Sequence, residues 1–128
     1  MYLIGDIGNS EIKICLVTSK KKIIKRINFS SNDISRTNVK KYFKSSYKYF
    51  SKIEKILFCS VVPSSFDLIK KFLKTKTKVK CYEVKELNLT SLIKIKVNYN
   101  QVGSDRVTNA ISLIDNKKNF IIVDLGTA

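Results

Sequence analysis

Two apolar runs of strand length end in the same kind of turn. Tyr2 to Gly5 leads into Asp6-Ile7-Gly8-Asn9-Ser10 near the start, and Phe120 to Val123 leads into Asp124-Leu125-Gly126-Thr127-Ala128 at the end. Both turns read Asp, apolar, Gly, polar, small. Such a strand end brings a carboxylate, backbone N–H groups and a short polar side chain to one point, an arrangement suited to anions and their counter-cations. Between the two turns lies Val102-Gly103-Ser104-Asp105-Arg106, a carboxylate beside a guanidinium.

The segments between these points follow recognisable periods. Glu11 to Thr18 alternates Ile12, Ile14 and Leu16 on one face, and Ile23 to Phe29 alternates again, with Lys20-Lys21-Lys22 as the turn between. With Tyr2–Gly5 these predict a three-strand antiparallel meander. Gly8 is suited to a positive φ and to close approach of the backbone to a ligand. Ser30 to Asn38 is polar and loop-like. Val39, Tyr42, Phe43, Tyr47, Phe50 and Ile53 recur at three- and four-residue steps, which predicts a helix over about 39–55. Ile56 to Val62 reads as a buried strand stopped by Pro63. Ser64 or Ser65 is placed to cap a helix over 66–74, with Phe66, Ile69, Phe72 and Leu73 facing inward. Val79–Val84 is a further strand, and Leu92–Val97 alternates as an edge or hairpin strand would. A helix over 106–114 follows, with Ser104 as its N-cap and Asp105 in the first turn, where the helix dipole favours an ionised carboxylate. Phe120–Val123 is expected as a buried strand. The order of elements predicts an α/β fold with a mixed sheet flanked by helices.

Composition narrows the function. The 128 residues carry 25 Lys+Arg against 10 Asp+Glu, a formal charge of +15. Nearly all the excess is lysine scattered along the chain; arginine occurs only at Arg26, Arg36 and Arg106. Readers of nucleic acid use arginine forks and interleaved aromatics, so no specific nucleic-acid partner is expected. With no histidine, a histidine general base is excluded for this chain. Cys15, Cys59 and Cys81 lie far apart in apolar runs, as three buried free thiols in a reducing compartment would. Asp6 interrupts the first apolar run too early for a signal peptide, and no run approaches ~18 apolar residues. A cytoplasmic protein without membrane spans is expected. The stop at Ala128, directly after a glycine turn, predicts the N-terminal part of a longer protein.

Phosphoryl transfer is mostly positioning and charge neutralisation, and Asp6, Gly8, Asn9 and Ser10 offer a carboxylate and donors for it. An ordinary hairpin turn has the same composition; the second copy, with the Thr127 hydroxyl, tips the reading toward a nucleotide clamped between two such turns. Transfer to an alcohol needs a carboxylate within reach of the hydroxyl, a role for Asp105, with Arg106 fixing an anionic group of the substrate. Tyr99 either closes that pocket or is an exposed strand-end tyrosine. Phe58, Phe66 and Phe72 belong to the core.

Taken together the motifs resemble the type III pantothenate kinases, in the superfamily of acetate and sugar kinases, heat-shock ATPases and actin. Asp6-Ile-Gly-Asn-Ser resembles the family's first phosphate motif, with Ser10 where threonine is usual; Cys59-Ser-Val-Val-Pro63 its Ser-Val-Val-Pro segment; Gly103-Ser-Asp-Arg106 with Asn109-Ala110 its substrate motif; and Val123-Asp-Leu-Gly-Thr-Ala128 its second phosphate motif. The resemblance implies an actin-like (ribonuclease H-like) ATPase domain over 1–118 and the first strand of a second such domain over 119–128. It implies ATP-dependent phosphorylation of pantothenate, the first step to coenzyme A. Asp6, Ile7, Gly8, Asn9, Ser10, Glu11, Ile12, Lys13 and Thr127 would contact ATP. Tyr99, Gly103, Ser104, Asp105 and Arg106 would contact pantothenate, Asp105 would be the base, and Asp124 would help hold a monovalent cation, potassium or ammonium. Magnesium would come with ATP, and the family works as a homodimer. The family is about twice this length, so the 128 residues alone are expected to bind ATP poorly and not to turn over. Two other readings stand beside it: a relative that lost the reaction and activates transcription, and a basic nucleic-acid-binding module. Intact Asp6, Asp105, Arg106 and Asp124 speak against the first, and the scattered lysines against the second.

Overall fold

The computed structural model describes residues 1–115 and 118–123. Strands β1 (Tyr2–Ile7), β2 (Glu11–Val17) and β3 (Ile23–Ser30) form the antiparallel meander expected from their alternation. Helix α1 (Arg36–Phe43) leads through a 3-10 run to β4 (Lys55–Ser60), which enters beside β1 and parallel to it. Helix α2 (Pro63–Lys74) crosses back, and β5 (Cys81–Glu83) adds a second parallel strand. The sheet order is β3-β2-β1-β4-β5. This mixed five-strand sheet with flanking helices is the arrangement of an actin-like ATPase domain.

The period-two pattern decides which face is buried. Leu3 and Ile7 of β1, Ile12, Ile14 and Leu16 of β2, and Ile56 and Phe58 of β4 point to one side. There they pack against Val39 and Phe43 of α1, Phe50 of the 3-10 run, and Phe66, Ile69, Phe72 and Leu73 of α2. Phe43 and Phe72 approach with ring centroids 5.2 Å apart. Gly5 lies on the same side in register with Phe58, and the buried ring fills the space that a side chain at residue 5 would need. The opposite face is covered only in part. Helix α3 (Ser104–Ser112) and the segment before it close over β4 through a small cluster of Cys59, Val84 and Val107. Over β1 the face stays open, and Ile4 there is 43% exposed.

Several expectations are corrected. Asp6 is the penultimate residue of β1, not part of the turn. The helix expected over 39–55 is α-helical only to Phe43 and then 3-10 over Lys44–Lys52. Tyr47, Phe50 and Ile53 are spaced by three, and a 3-10 helix eclipses every third residue, so it serves this stripe better. Helix α2 starts at Pro63, which occupies the first turn without needing an N–H; neither Ser64 nor Ser65 caps it. Ser60 takes over locally, its Oγ accepting from the Val62 N–H at 3.2 Å. The strand expected over 79–84 shrinks to Cys81–Glu83, followed by a 3-10 turn, Val84–Glu86. Leu92–Val97 forms no strand: Leu92 and Val97 are exposed, while Ile95 packs against the small cluster. Its alternation marks one packed side without a ladder. The residues described over 120–123 form no strand and are exposed, Ile121 to 93%, because among the described residues no strand lies alongside them. Of the thiols, Cys59 and Cys81 are buried and free, but Cys15 is only half-buried.

Candidate active site

A cleft of about 810 Å³ opens on the uncovered face. Its floor is the centre of the sheet, with Ile4, Gly5 and Asp6 of β1, Lys13 and Cys15 of β2, and Leu57 and Cys59 of β4. Its side wall is α3, with Asp105, Thr108 and Asn109. Strand register explains the floor. Asp6 stands opposite Lys13 on one side and opposite Cys59 on the other, so all three face the cleft.

The β1–β2 turn forms one end. The Gly8 N–H donates to Glu11 O at 3.0 Å and closes the hairpin, so this donor is committed. Ser31, in the 3-10 turn just after β3, braces the β1–β2 turn: its Oγ donates to Gly8 O at 2.6 Å and its N–H to Ser10 O at 3.0 Å. Among the described residues no glycine adopts a positive φ, so Gly8 does not use the left-handed freedom expected of it. Its lack of a side chain matters for space, since a Cβ would come 3.2 Å from Glu11 O. Asn9 and Ser10 are exposed at the tip. Glu11 and Lys13 pair at 3.2 Å on the surface. Ile7 and Ile12 are fully buried in the core, which leaves only their backbone for any ligand.

The other wall is built by the start of α3. Gly103, not Ser104, is the N-cap; it has no side-chain bond to offer, and its carbonyl accepts from the Val107 N–H at 3.2 Å. Ser104, the first residue of the helix, is buried, and Thr108 Oγ1 donates back to its carbonyl at 2.8 Å. Asp105 folds over Gly103, and its Oδ1 is buried without a hydrogen-bond partner. A buried carboxylate oxygen without a partner is costly unless a ligand supplies one. Arg106 is exposed and lines no part of the cleft, since adjacent residues on a helix face different ways. Tyr99 stands apart: it begins a 3-10 turn (Tyr99–Gln101) and lines a smaller hollow with Leu89, Ile93 and Ile95. Thr127 and Asp124 lie outside the described residues.

Cys59 sits where the floor meets α3. Burial above all pushes its thiol up to about 12; the Asp6, Asp105 and Glu83 carboxylates push the same way, and a hydrogen bond with Thr108 pulls back. At neutral pH it is a neutral thiol lining the cleft and not a nucleophile. Sequence reasoning placed Cys59 in the core and missed Thr108. The signal for Cys59 was there: if β4 runs parallel beside β1, its cleft-facing residues follow from Asp6 by alternation. Lys85 was missed too, and no local pattern marks it. Among the described residues no group of three or more His, Cys, Asp or Glu could hold a metal ion, and no helix is long and apolar enough to cross a membrane.

The chain matches a family model described as type III pantothenate kinase over residues 2–128. It is 54% identical over 128 residues to the type III pantothenate kinase of Pelagibacter ubique (strain HTCC1062), which covers 100% of this chain and 52% of that protein. Type III pantothenate kinases of Citrifermentans bemidjiense and of Geobacter sp. (strain M21) are each 29% identical over 136 residues, again covering 100% of this chain and 52% of theirs. The chain thus spans about half the length of the curated relatives it matches.

Proposed function

The chain belongs to the type III pantothenate kinase family, and from that premise we propose that it supplies one wall set of an enzyme that phosphorylates pantothenate with ATP. The observation that carries this reading is Asp105: a helix-start carboxylate with a buried, unpartnered oxygen on the wall of a cleft that also holds Asp6 and Gly8. Pantothenate places its primary hydroxyl at Asp105, which accepts the proton. The hydroxyl oxygen forms a bond to the γ-phosphorus of ATP, the bond from that phosphorus to the bridging oxygen breaks, and ADP leaves with the electron pair.

The residues from Asp6 to Lys13 hold the phosphate chain, Ile7 and Ile12 through their backbone alone. Thr127 joins them from the second turn. Gly103, Ser104, Arg106 and Tyr99 complete the pantothenate side, and the exposed Arg106 guanidinium takes the carboxylate of the substrate. Residues 1–118 form the first actin-like domain and 119–128 begin a second. Asp124 helps hold a monovalent cation, potassium or ammonium, whose charge would offset that of the phosphates; magnesium arrives with ATP. The enzyme works as a homodimer in the cytoplasm, on the way to coenzyme A. The test is ADP release by the full-length gene product with ATP, pantothenate and potassium. It should depend on pantothenate and fall on the order of 10²-fold or more in Asp105→Asn, which keeps the shape but removes the proton acceptor. No pantothenate-dependent ADP from the full-length protein would refute the reading.

A further inference from the structure

We propose that Lys85 is a positioning residue: its ammonium pins the segment that delivers Gly103 and Asp105 to the edge of the sheet. Lys85 lies in the 3-10 turn after β5 and is half-buried. Its Nζ donates to the carbonyl of Val102 at 2.9 Å and reaches that of Asn100 at 3.5 Å. The same ammonium sits 4.9 Å from the centroid of the Tyr99 ring. One cation therefore holds three of the four residues that precede Gly103. Charge-assisted bonds of this kind are stronger than neutral ones, and a half-buried site screens them less than open water would.

The turn that carries Lys85 is itself anchored. Glu83 accepts from the Lys85 N–H at 2.7 Å and from the Ser60 N–H, at the end of β4, at 3.4 Å. Glu86 closes a capping box onto Glu83 and takes Lys70 of α2 at 2.9 Å. A connected path thus runs from α2 and the ends of β4 and β5, through Lys85, to the peptide that joins Val102 to Gly103. Without it, the approach to α3 rests on local bonds within the turn, Gln101 N–H to Asn98 O at 3.0 Å, Val102 N–H to Tyr99 O at 3.2 Å and Asn100 N–H to the Asn98 side chain at 3.1 Å, and on the small apolar cluster. Asp105 then loses its fixed place in the cleft.

The inference rests on Asp105 being the base, and the test separates the two. Full-length Lys85→Met keeps the aliphatic stem and loses the charge and donors; Lys85→Arg keeps the charge and donors. The first readout is backbone deuterium exchange, which needs no turnover. Lys85→Met should raise exchange at 99–106 by about tenfold or more while β1 to β4 stay as in the parent, and Lys85→Arg should restore part of the protection. The second is kinetic: in Lys85→Met, kcat/KM for pantothenate should fall by about 10- to 100-fold with KM for ATP unchanged. Unchanged exchange at 99–106, or a rise spread evenly over the sheet, overturns the proposal. So does an unchanged kcat/KM in an active enzyme. If the parent protein shows no pantothenate-dependent ADP, the kinase reading fails, and the exchange result alone decides the role of Lys85.

Discussion

Replacing Gly103 by alanine should separate the position of Asp105 from the stability of the fold. Gly103 has φ −62° and ψ 147°, a backbone that any L-residue adopts. A methyl group there meets Asp105 Oδ1 first; the next atoms are Asp105 Cγ at 3.4 Å and Val61 Cγ1 at 3.6 Å, both ordinary contacts. Only the carboxylate has to move, by about 1 Å to reach van der Waals separation. It is the far end of a side chain with two rotatable bonds, so the fold absorbs the change. Alanine also restricts the unfolded chain, a gain of up to about 1 kcal/mol, but it is a poorer N-cap than glycine by a similar amount, so stability should stay within about 1 kcal/mol of the parent. Chemistry is less forgiving: a misplacement of about 1 Å can cost on the order of 10²-fold in rate, about 2.7 kcal/mol of barrier. The assay pairs steady-state ADP release by full-length Gly103→Ala with its denaturant unfolding curve. The expected result is kcat down by about 10²-fold, with stability within about 1 kcal/mol of the parent. A kcat within about threefold of the parent, or a loss of more than about 1 kcal/mol in stability, would refute the reasoning.

Gly5→Ala should behave in the opposite way. Its methyl would collide with the buried Phe58 ring, costing about 1–3 kcal/mol in a denaturant melt, and Phe58→Leu on that background should recover part of the loss; an additive double mutant would contradict the clash. The thiols give a pH test. Burial first of all pushes Cys59 and Cys81 from 9.0 up to about 12, so a soluble maleimide at pH 8 should label half-buried Cys15 well before either, and equal labelling would contradict the burial. Between pH 9.0 and about 12 the unfolded chain releases thiol protons that the fold retains, so this contribution makes stability fall as pH rises, which unfolding curves across that window would show.

Much of the fold is legible because its elements are local. Ile12, Ile14 and Leu16, and then Ile27 and Phe29, alternate plainly, and the structure pairs them as a meander. The apolar run before Pro63 marks β4, although the strand stops at Ser60, two residues before the expected end, and Pro63 opens α2. Where one pattern serves two conformations, the reading failed. Tyr47, Phe50 and Ile53 suit a 3-10 run as well as an α-helix, and Ile93 and Ile95 alternate without pairing. Asp6 and Asp105 could be picked from their turns. Cys59 follows from Asp6 by alternation only once β4 is placed parallel beside β1, and Thr108 not even then, because it depends on α3 docking across the sheet. Lys85 is harder still, one lysine among many, singled out only by the two carbonyls and the ring that it meets.

The unequal size of the two apolar clusters has a consequence for how the molecule opens. The large cluster joins all five strands to α1 and α2, whereas α3 is held by three buried residues, Cys59, Val84 and Val107, with a fringe of partly buried neighbours. A segment with so few buried contacts detaches at a fraction of the free energy needed to unfold the whole. Asp6 rides on the strand that is central to the sheet, and Asp105 on the piece that lets go first. The two carboxylates of one cleft thus belong to different cooperative units. Mild denaturant should disassemble the cleft while the sheet beneath it stands.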